Sequence, residues 1–546
     1  MIPFRTPYQR IAERLDIRAA IRAASARNDL LPPRREDKAG GELGKRFSEY
    51  LVRELETGRY DPTPAHIIAV PKSQIGTRPA ALLPFQDRVV YEAIVDVLRL
   101  RVARSLLGED IVFWPRANGA SDKNWSTFER AILEQNGQYV VSCDIAGFYE
   151  SIDHSQLASA VVGATGYRDI ADALVHFLDR TMNGNRGLPQ GLEASDTLAT
   201  IYLAQVDRAM IRNGFRYIRH GDDARISVDS YSHGCRAARV MEAELRKCGL
   251  LLNGSKTRVF KRRTYEESLV VYEKEWAKAK KSFVEEAAAQ LREDDEALEE
   301  ALARFDLEEL GWALFYHGII SVEEVIDKLK AKMTLEDGAI AARLFNSIME
   351  KRPTERNGKV SRLEREMFHW QLKKVLYALA AAESDVALSS VGELIRRYPD
   401  KTEILCEYMM RLRDRDEAIV SQIEGALDED TMEWAFAWMM RVLSKRPGFV
   451  TSGIESRLER VAGNPGDSWL AAVEAAKCLA AIGKLGRETL LLLWNTCPHA
   501  FRIDLAVAAV RMEKVADWGT AFVQSARGER VQEVVMEHEA QGGIVG

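Results

Sequence analysis

Two short segments of the chain carry carboxylates in a pattern that suits metal chemistry. Asp144 ends the apolar, β-prone run VVSCDI, and an aspartate there is costly to bury unless something binds it. Asp222 and Asp223 are adjacent and lie between the strand-like runs YIRH and ARISV. Because neighbouring carboxylates in a hairpin repel each other, a divalent cation is a common reason for keeping them together.

These three aspartates could together hold two Mg²⁺ ions at the ends of two strands. One ion would activate a primer 3′-hydroxyl and the other would hold a triphosphate, as in-line phosphoryl transfer requires. A capping role is the alternative for a single strand-end aspartate, so neither segment is decisive alone. Together the two segments predict a two-metal site, at which Mn²⁺ could replace Mg²⁺.

The elements around these aspartates mix strands and helices up to about residue 263. HIIAV and YVVSCDI predict short strands, and YIRHGDDARISV predicts two strands joined by a tight turn. DRVVYEAIVDVLRLRVARSLL has the period of a helix, and the first 60 residues or so also have a helical pattern. The first half is therefore expected to be an α+β structure.

The pattern is helical from about residue 320 onwards, with short polar turns between the helices. Basic residues followed by a proline recur at Pro353, Pro399 and Pro447, and Pro498 marks a further break. The spacing of about 46 to 51 residues is compatible with stacked helical pairs of the HEAT type. Ordinary helix ends produce the same signal, so both interpretations stay open.

The net charge of −6 conceals an asymmetry between the two halves. Residues 1–263 hold 39 Lys and Arg against 32 Asp and Glu, which is +7. Subtraction from the totals of 76 and 82 leaves 37 against 50 in the remainder, which is −13. The first half can attract a phosphate backbone, whereas the second half would repel it, so the two halves are expected to do different work.

Composition excludes several classes of protein. With 46% hydrophobic and 29% charged residues, the chain is expected to be globular and to have ample core. It has neither a long apolar run nor an N-terminal secretory signal, so we expect no membrane association. The six cysteines are scattered without metal-ligand pairing, which favours a reducing cytoplasm over a disulfide framework or a zinc site.

Four motifs in the first half resemble, in order, motifs A to D of reverse transcriptases. They are DIAGFYESIDH, GLPQGLEASDTLATIYLAQVD, YIRHGDD and GLLLNGSKTRV. The upstream run PKSQIGTRPAALLPFQDRVVYEAI is similar to the fingers segment of bacterial members of that family. The resemblance spans residues 66–263 and implies an α+β right-hand polymerase core with fingers and palm. The implied activity is that of an RNA-directed DNA polymerase, a nucleotidyltransferase.

The resemblance assigns roles to the residues that carry charge. Asp144 and Asp222 would be direct Mg²⁺ ligands assisted by the Ile145 carbonyl, and Asp223 would lie nearer to the primer. Lys256 would protonate the departing pyrophosphate. An ordinary surface lysine is the alternative for that position.

The resemblance also implies a binding site for the incoming deoxynucleoside triphosphate (dNTP). Lys72 and Arg78 would contact the triphosphate, although two solvated loop cations would produce the same pattern. Gln190 would lie against the nascent base pair, and Gly191 would allow close backbone approach. Tyr149 occupies the position of a bulky aromatic that blocks a 2′-hydroxyl. It favours DNA synthesis over the RNA synthesis that the Gly-Asp-Asp triplet of viral RNA polymerases would suggest.

Three departures from the family pattern concern primer and template rather than metal. His220 stands where the family carries an aromatic residue that supports the primer end, which indicates atypical priming. Ser195-Asp196 replaces the more familiar Ser-Pro. Residues 114–118 resemble the common template-contact segment only loosely.

The long acidic helical tail is similar to that of the abortive-infection and defence-associated reverse transcriptases of bacteria. This likeness implies antiviral defence, assembly into a homo-oligomer, an RNA template or noncoding RNA as partner, and a DNA product. The predicted domains are 1–263 (fingers and palm, with an N-terminal helical segment 1–60), 264–320 (a charged, thumb-like helical connector) and 321–546 (a helical-repeat, HEAT-like domain).

Two alternatives remain open from the sequence. A degenerate polymerase could act as a nucleic-acid or protein-binding scaffold, although three intact aspartates argue against it. A group II intron-like or retron-like reverse transcriptase is the other alternative, but the chain lacks the nuclease signature of the former and is longer than the latter.

Overall fold

A computed structural model describes most of the chain. It covers residues 5–25, 30–34, 44–72, 76–105, 111–113, 125–271, 274, 278, 321–333, 335–350, 352 and 362–513. The predicted template-contact segment 114–118 and nearly all of the connector 264–320 beyond Val271 lie outside these residues.

The chain divides into two compact units, which are described separately below. The first unit comprises Met1–Ala26, Glu36–His66 and Ala81–Val271, and the second comprises Arg27–Arg35, Ile67–Ala80 and Tyr272–Gly546. The predicted domain boundaries at 263 and 320 stay predictions.

The first unit contains eleven helices and five strands among its described residues. The helices are α1 (Pro7–Ile11), α2 (Ile17–Ala24), α3 (Gly44–Thr57), α4 (Phe85–Ser105), α5 (Trp125–Ala131), α6 (Phe148–Ser151), α7 (His154–Thr165), α8 (Arg168–Thr181), α9 (Glu193–Arg212), α10 (Tyr231–Lys247) and α11 (Arg262–Leu269). Two strands that precede these five in the chain, β1 (His66–Pro71) and β2 (Thr77–Leu82), form a separate two-stranded sheet.

The five strands form one sheet in the order β4-β5-β3-β6, with β7 paired to the first part of β3. The strands are β3 (Tyr139–Ala146), β4 (Arg216–His220), β5 (Asp223–Val228), β6 (Leu251–Leu252) and β7 (Arg258–Lys261). β3 is the central strand, and its residues Val140, Val141 and Cys143 are at most 1% exposed. Helix α10 packs on β3 and β5, and α9 packs on β4 and α10. Val140 and Val141 point to opposite faces of the sheet, and both are buried: Val141 lies against α10, and Val140 packs with Phe128 and Ile132.

The hairpin between β4 and β5 is held next to its turn by a buried ion pair. Arg219 of β4 donates to Asp207 of α9 at 2.8 and 3.0 Å, and both side chains are nearly inaccessible to solvent. The hairpin turns at Gly221, whose φ of +57° is a conformation that L side chains rarely adopt. This turn places Asp222 and Asp223 at the end of the sheet.

The described helices of the second unit follow one another along the chain after residue 321. They are α12 (Val322–Lys330), α13 (Leu335–Glu350), α14 (Arg362–Ala381), α15 (Val391–Arg397), α16 (Thr402–Arg411), α17 (Asp416–Ala426), α18 (Glu433–Ser444), α19 (Ser452–Gly463), α20 (Trp469–Ala481), α21 (Arg487–Thr496) and α22 (Arg502–Glu513). The described part of the chain after residue 321 has no strand, in agreement with the predicted helical pattern.

These helices pack on their next-but-one neighbours. Helices α14, α16, α18, α20 and α22 contact one another in that sequence, and α15 contacts α17. Pro399 and Pro447 each begin a short 3₁₀ turn between helices, and another such turn follows Pro498. The predicted breaks at these prolines are therefore helix boundaries, whereas Pro353 lies outside the described residues. Assignment to the HEAT type stays a prediction.

None of the helices in the part of the chain that the structure describes is long and apolar enough to span a membrane.

Candidate active site

The antiparallel register of β3 and β5 brings the predicted acidic residues together. Asp144 is the direct cross-strand partner of Asp223, and Asp223 also pairs with His220 on β4. Side chains of directly opposed residues start about 5 Å apart. With Asp222 in the adjoining turn, the three carboxylates form one group, which we call the acidic site.

The pKa values in the acidic site show that these carboxylates crowd one another. Burial and the negative charges of Asp223 and Asp144 raise the pKa of Asp222 to about 7. Burial also raises the pKa of Asp223, and the charge of Asp144 adds to the effect although Arg225 opposes it. An excess of negative charge in a partly buried position is the environment that a divalent cation neutralises.

Asp144 is held by two residues from the segment that connects β6 and β7. Lys256 Nζ lies 2.7 Å from Oδ1 of Asp144, and Asn253 Nδ2 donates to Oδ2 at 2.9 Å. The backbone N–H of Asn253 also donates to the Asp144 carbonyl at 2.7 Å. Both oxygens of Asp144 therefore have a fixed orientation. The structure brings Lys256 into the acidic site, as the motif order implied, and adds Asn253.

Arg225 is a second residue that the sequence interpretation missed. Its guanidinium is 3.3 Å from Asp223 Oδ1 and donates from Nε to the Tyr265 hydroxyl at 3.1 Å. It also lies over the rings of Trp125 and Phe128, with centroid distances of 5.8 and 5.1 Å. The position of Arg225 two residues after Asp223 could have indicated this contact, because residues two apart on a strand have side chains on the same face of the sheet.

The donor set of the acidic site fits Mg²⁺. Among the described residues, no three His, Cys, Asp or Glu side chains enclose a metal position by themselves. Mg²⁺, however, commonly takes one or two carboxylates and completes its octahedron with water and substrate phosphates. Asp144 and Asp222 offer such carboxylates, and Ile145, which is 3% exposed, follows directly on β3. The assignment of these residues and Asp223 as ligands stays a prediction.

Tyr149 and Gln190 belong to connected parts of the first unit. The Leu188 N–H donates to the Tyr149 carbonyl at 2.9 Å, and the Tyr149 hydroxyl donates to Asp196 Oδ1. The Ala81 N–H approaches the Gln190 carbonyl at 3.4 Å. Gly191 has φ +94°, a backbone conformation that favours glycine, and the predicted close approach of the nascent base pair stays a prediction.

Lys72 and Arg78 lie on the β1–β2 sheet, in residues that belong to the second unit. Lys72 is exposed at the end of β1, where its N–H donates to the Gly76 carbonyl at 2.8 Å. Arg78 is half-buried within β2. Their predicted contact with a triphosphate stays a prediction.

His220 is turned into an aromatic cluster. Its ring makes an edge contact with Trp125 at a centroid distance of 5.2 Å and lies 5.9 Å from Phe128. Burial lowers the pKa of His220 to about 4, so the imidazole is neutral near pH 7. His220 thus contributes an aromatic ring next to the turn of the hairpin, at the position where the family pattern has an aromatic residue.

Comparison with known proteins identifies the class of this domain. Residues 70–280 match the family model for reverse transcriptase, an RNA-dependent DNA polymerase. The match includes all of the predicted site residues and the sheet that carries the acidic site. The chain therefore contains a reverse transcriptase domain, which indicates an RNA-directed DNA polymerase, a nucleotidyltransferase. The enzyme class expected from the motifs is confirmed.

Two solved structures are similar to this chain at low identity. Apo telomerase from Candida tropicalis is 13% identical over 72% of this chain and 74% of that chain, with a TM-score of 0.30. Telomerase from Candida albicans in complex with the TWJ fragment of telomeric RNA is 11% identical over 75% and 69%, with a TM-score of 0.28. At TM-scores this low, neither similarity carries an argument. No curated protein matches the chain.

Proposed function

We propose that this chain is a DNA polymerase of the reverse-transcriptase type, which adds deoxynucleotides to a growing strand by two-metal phosphoryl transfer. The cross-strand pairing of Asp144 with Asp223, beside Asp222, carries this proposal. The reverse transcriptase family match over the same residues supports it. Mg²⁺ ions bound here would supply Lewis-acid stabilisation of the reacting phosphate.

The neighbouring residues have distinct roles in this proposal. Asn253 fixes the orientation of Asp144, and Arg225 fixes that of Asp223 while remaining anchored by Tyr265. Lys256, whose side chain is half exposed, supplies a proton to the departing pyrophosphate. Its ammonium is already in the site through its ion pair with Asp144.

Nucleotide recognition involves Tyr149 and the segment from Leu188 to Gly191. Tyr149 excludes a 2′-hydroxyl, and Gln190 lies against the nascent base pair. Lys72 and Arg78 contact the triphosphate of the incoming dNTP. The net charge of +7 over residues 1–263 favours binding of an RNA template or noncoding RNA and of the DNA product.

The biological role that we propose is antiviral defence in bacteria, based on resemblance to the defence-associated group. The acidic second unit, with helices that pack on next-but-one neighbours, supports a HEAT-like domain that assembles copies of the chain or guides the product. Its net negative charge makes it a poor site for gripping a strand.

Incorporation of radiolabelled dNTPs by the purified full-length protein tests the polymerase proposal. The assay should compare Mg²⁺ with Mn²⁺ and include RNA templates with and without primers. We expect Asp144→Asn to abolish incorporation. Asp229→Asn, an exposed aspartate just beyond the other end of β5, is the matched control and should retain it. Absence of wild-type incorporation under every condition would overturn the proposal.

A plaque assay tests the defence role separately. Bacteria expressing the wild-type chain should form fewer plaques than bacteria expressing Asp144→Asn after challenge with a panel of phages. Equal plaque counts across the panel, with an active polymerase in vitro, would reject the defence role alone. Sequencing of DNA that copurifies with the chain would identify the template.

A further inference from the structure

A half-buried acid, Asp196, lies in the first turn of α9 next to the residue that is proposed to select the sugar. Asp196 Oδ1 accepts a hydrogen bond from the Tyr149 hydroxyl. In the reverse-transcriptase pattern this position is the proline of Ser-Pro, which has no side-chain acceptor. The contact between Tyr149 and Asp196 is therefore a property of this chain.

Tyr149 is attached at both ends to one segment of the chain. Its carbonyl accepts from the Leu188 N–H at 2.9 Å, and its hydroxyl reaches Asp196, eight residues further along the same segment. Its ring also packs against Phe148, with centroids 5.4 Å apart. A ring anchored at its backbone and at its hydroxyl can rotate little about its side-chain bonds.

The start of α9 is itself fixed to α4. The Ser195 hydroxyl lies 2.9 Å from the Tyr91 hydroxyl and donates to the Pro189 carbonyl at 2.5 Å. The Ala194 N–H donates to Glu92 at 3.2 Å. Asp196 is therefore presented from a rigid support, and its position is set independently of Tyr149.

The surroundings of Asp196 are unfavourable for a carboxylate that has no specific task. Burial raises its pKa to about 7, and the charges of Glu193, Glu92 and Asp222 act in the same direction against the bond from Tyr149. Removing an acid from water and placing it among other acids costs free energy, and that cost must be offset by its hydrogen bonds. The hydrogen bond from the Tyr149 hydroxyl is the contact that offsets this cost.

We infer that Asp196 is a positioning residue for sugar selection, which holds the Tyr149 ring where the 2′-hydroxyl of an incoming ribonucleotide would lie. This inference rests on the proposed function, because it requires Tyr149 to face the incoming nucleotide. Asp196 does not contact the nucleotide and acts only through the ring.

Steady-state incorporation of dATP and ATP by the full-length chain tests this inference. The measured quantity is discrimination, defined as kcat/KM for dATP divided by kcat/KM for ATP. Asp196→Ala and Tyr149→Phe each remove the same hydrogen bond, so each should lower discrimination by about 10-fold. The double variant should fall no further, because two substitutions that break one contact are not additive.

Two further variants separate positioning from a structural effect. Asp196→Asn keeps an oxygen acceptor and should restore most of the discrimination. Glu193→Gln, three residues earlier on α9 and more than half exposed, should leave it unchanged. A merely structural role would lower kcat for both nucleotides equally and would not change their ratio.

The outcomes distinguish this inference from the proposed function. Unchanged discrimination in Asp196→Ala, or additive losses in the double variant, would overturn the proposed role of Asp196. Incorporation of dATP by the wild-type chain in the same assay would still support the polymerase proposal. A wild-type chain that incorporates neither nucleotide would overturn the proposed function and the inference with it.

Discussion

Asp222 in the first unit and Asp504 in the second lie in buried or partly buried surroundings, but their pKa values move in opposite directions. Burial and two neighbouring aspartates raise the pKa of Asp222 to about 7. Burial would also raise that of Asp504, but the charges of Arg34 and Lys477 outweigh it and lower the pKa to about 2. The first carboxylate stands among like charges, and the second is neutralised by two cations.

The Asp504 cluster is a structural contact within the second unit. Arg34 donates to Asp504 from Nε at 3.1 Å and also binds the Ala500 carbonyl. Lys477 Nζ reaches the other oxygen of Asp504 at 3.1 Å, and the Trp434 indole donates to the Leu30 carbonyl at 2.7 Å. These bonds fix residues 30–34 onto helices near the far end of the chain. Removing one partner of a buried ion pair is costly because the other charge stays buried, whereas a carboxylate among like charges is available to bind a cation.

The largest expected effect is on catalysis at the acidic site. Asp222→Asn should lower the rate of dNTP incorporation on the order of 10³-fold, because it removes a proposed metal ligand, and a bound metal stabilises the transition state by several kcal/mol. Without metal, its melting temperature should equal or exceed that of the wild type, since a crowded charge is removed. A lower melting temperature would show that Asp222 is structurally paired after all.

The second-largest expected effect is the loss of stability when the Asp504 cluster is broken. Asp504→Ala should destabilise the second unit by about 3–5 kcal/mol, because it removes the buried carboxylate that Arg34 and Lys477 share. Lys477 keeps its ion pair with Glu474. Urea unfolding should show this loss, and Asp467→Ala, at an exposed position, should change stability by less than about 0.5 kcal/mol. A loss of the same small size in Asp504→Ala would break the contrast between the two clusters.

The pH dependence of unfolding should have opposite signs at the two sites. Asp504 has a folded pKa below its unfolded value of about 4, so its stabilisation is present above pH 4 and is lost towards pH 2. Asp222 has a folded pKa above that value, so its contribution is present below about pH 4 and is lost as pH rises through 7 in metal-free buffer.

Unfolding of the wild type, Asp504→Asn and Asp222→Asn between pH 2 and 8 would measure these two slopes. The wild-type advantage over Asp504→Asn should shrink on acidification. Its advantage over Asp222→Asn should shrink as the pH rises. Parallel curves for either pair would contradict the corresponding pKa.

The smallest expected effect is stabilisation by the metal itself. Mg²⁺ at ten times its dissociation constant should stabilise the wild-type chain by about 1.4 kcal/mol, because it binds the folded state only. Differential scanning fluorimetry should show a rise in melting temperature for the wild type and for Asp504→Asn. Asp222→Asn should show none. An equal rise in all three proteins would place the bound Mg²⁺ elsewhere.

The sequence predicted the elements of the first unit well because their patterns are local. The apolar, β-prone run YVVSCDI identified β3, and YIRHGDDARISV identified β4 and β5 with a tight turn between them. The motif order also located Tyr149, Gln190 and Lys256, which the structure places on connected segments or in the acidic site. The positions of Lys72 and Arg78 relative to the acidic site stay predictions, because they belong to the other unit.

Other contacts could not be predicted, since they depend on distant segments and on side-chain direction. Asn253 reaches Asp144 across 109 positions of the chain, and nothing in the spacing distinguishes it from an ordinary turn asparagine. The departure at His220 suggested unusual primer handling, but its ring lies in an aromatic cluster with Trp125. The departure at Asp196 was visible as a residue change, but its contact with Tyr149 was not.

The sequence by itself determined which residues could do chemistry: three aspartates at strand ends, an aromatic after the first of them, and the Pro-Gln-Gly segment. Residue type and spacing suffice for the aspartates, because two-metal phosphoryl transfer needs carboxylates that hold its ions, whereas the resemblance to reverse transcriptases supplied the aromatic residue and the Pro-Gln-Gly segment. Only the tertiary structure decided which charges are neutralised. Asp504 meets Arg34 across 470 positions, whereas Asp222 lies in the turn beside the opposed pair Asp144 and Asp223, and both outcomes depend on strand register and helix packing.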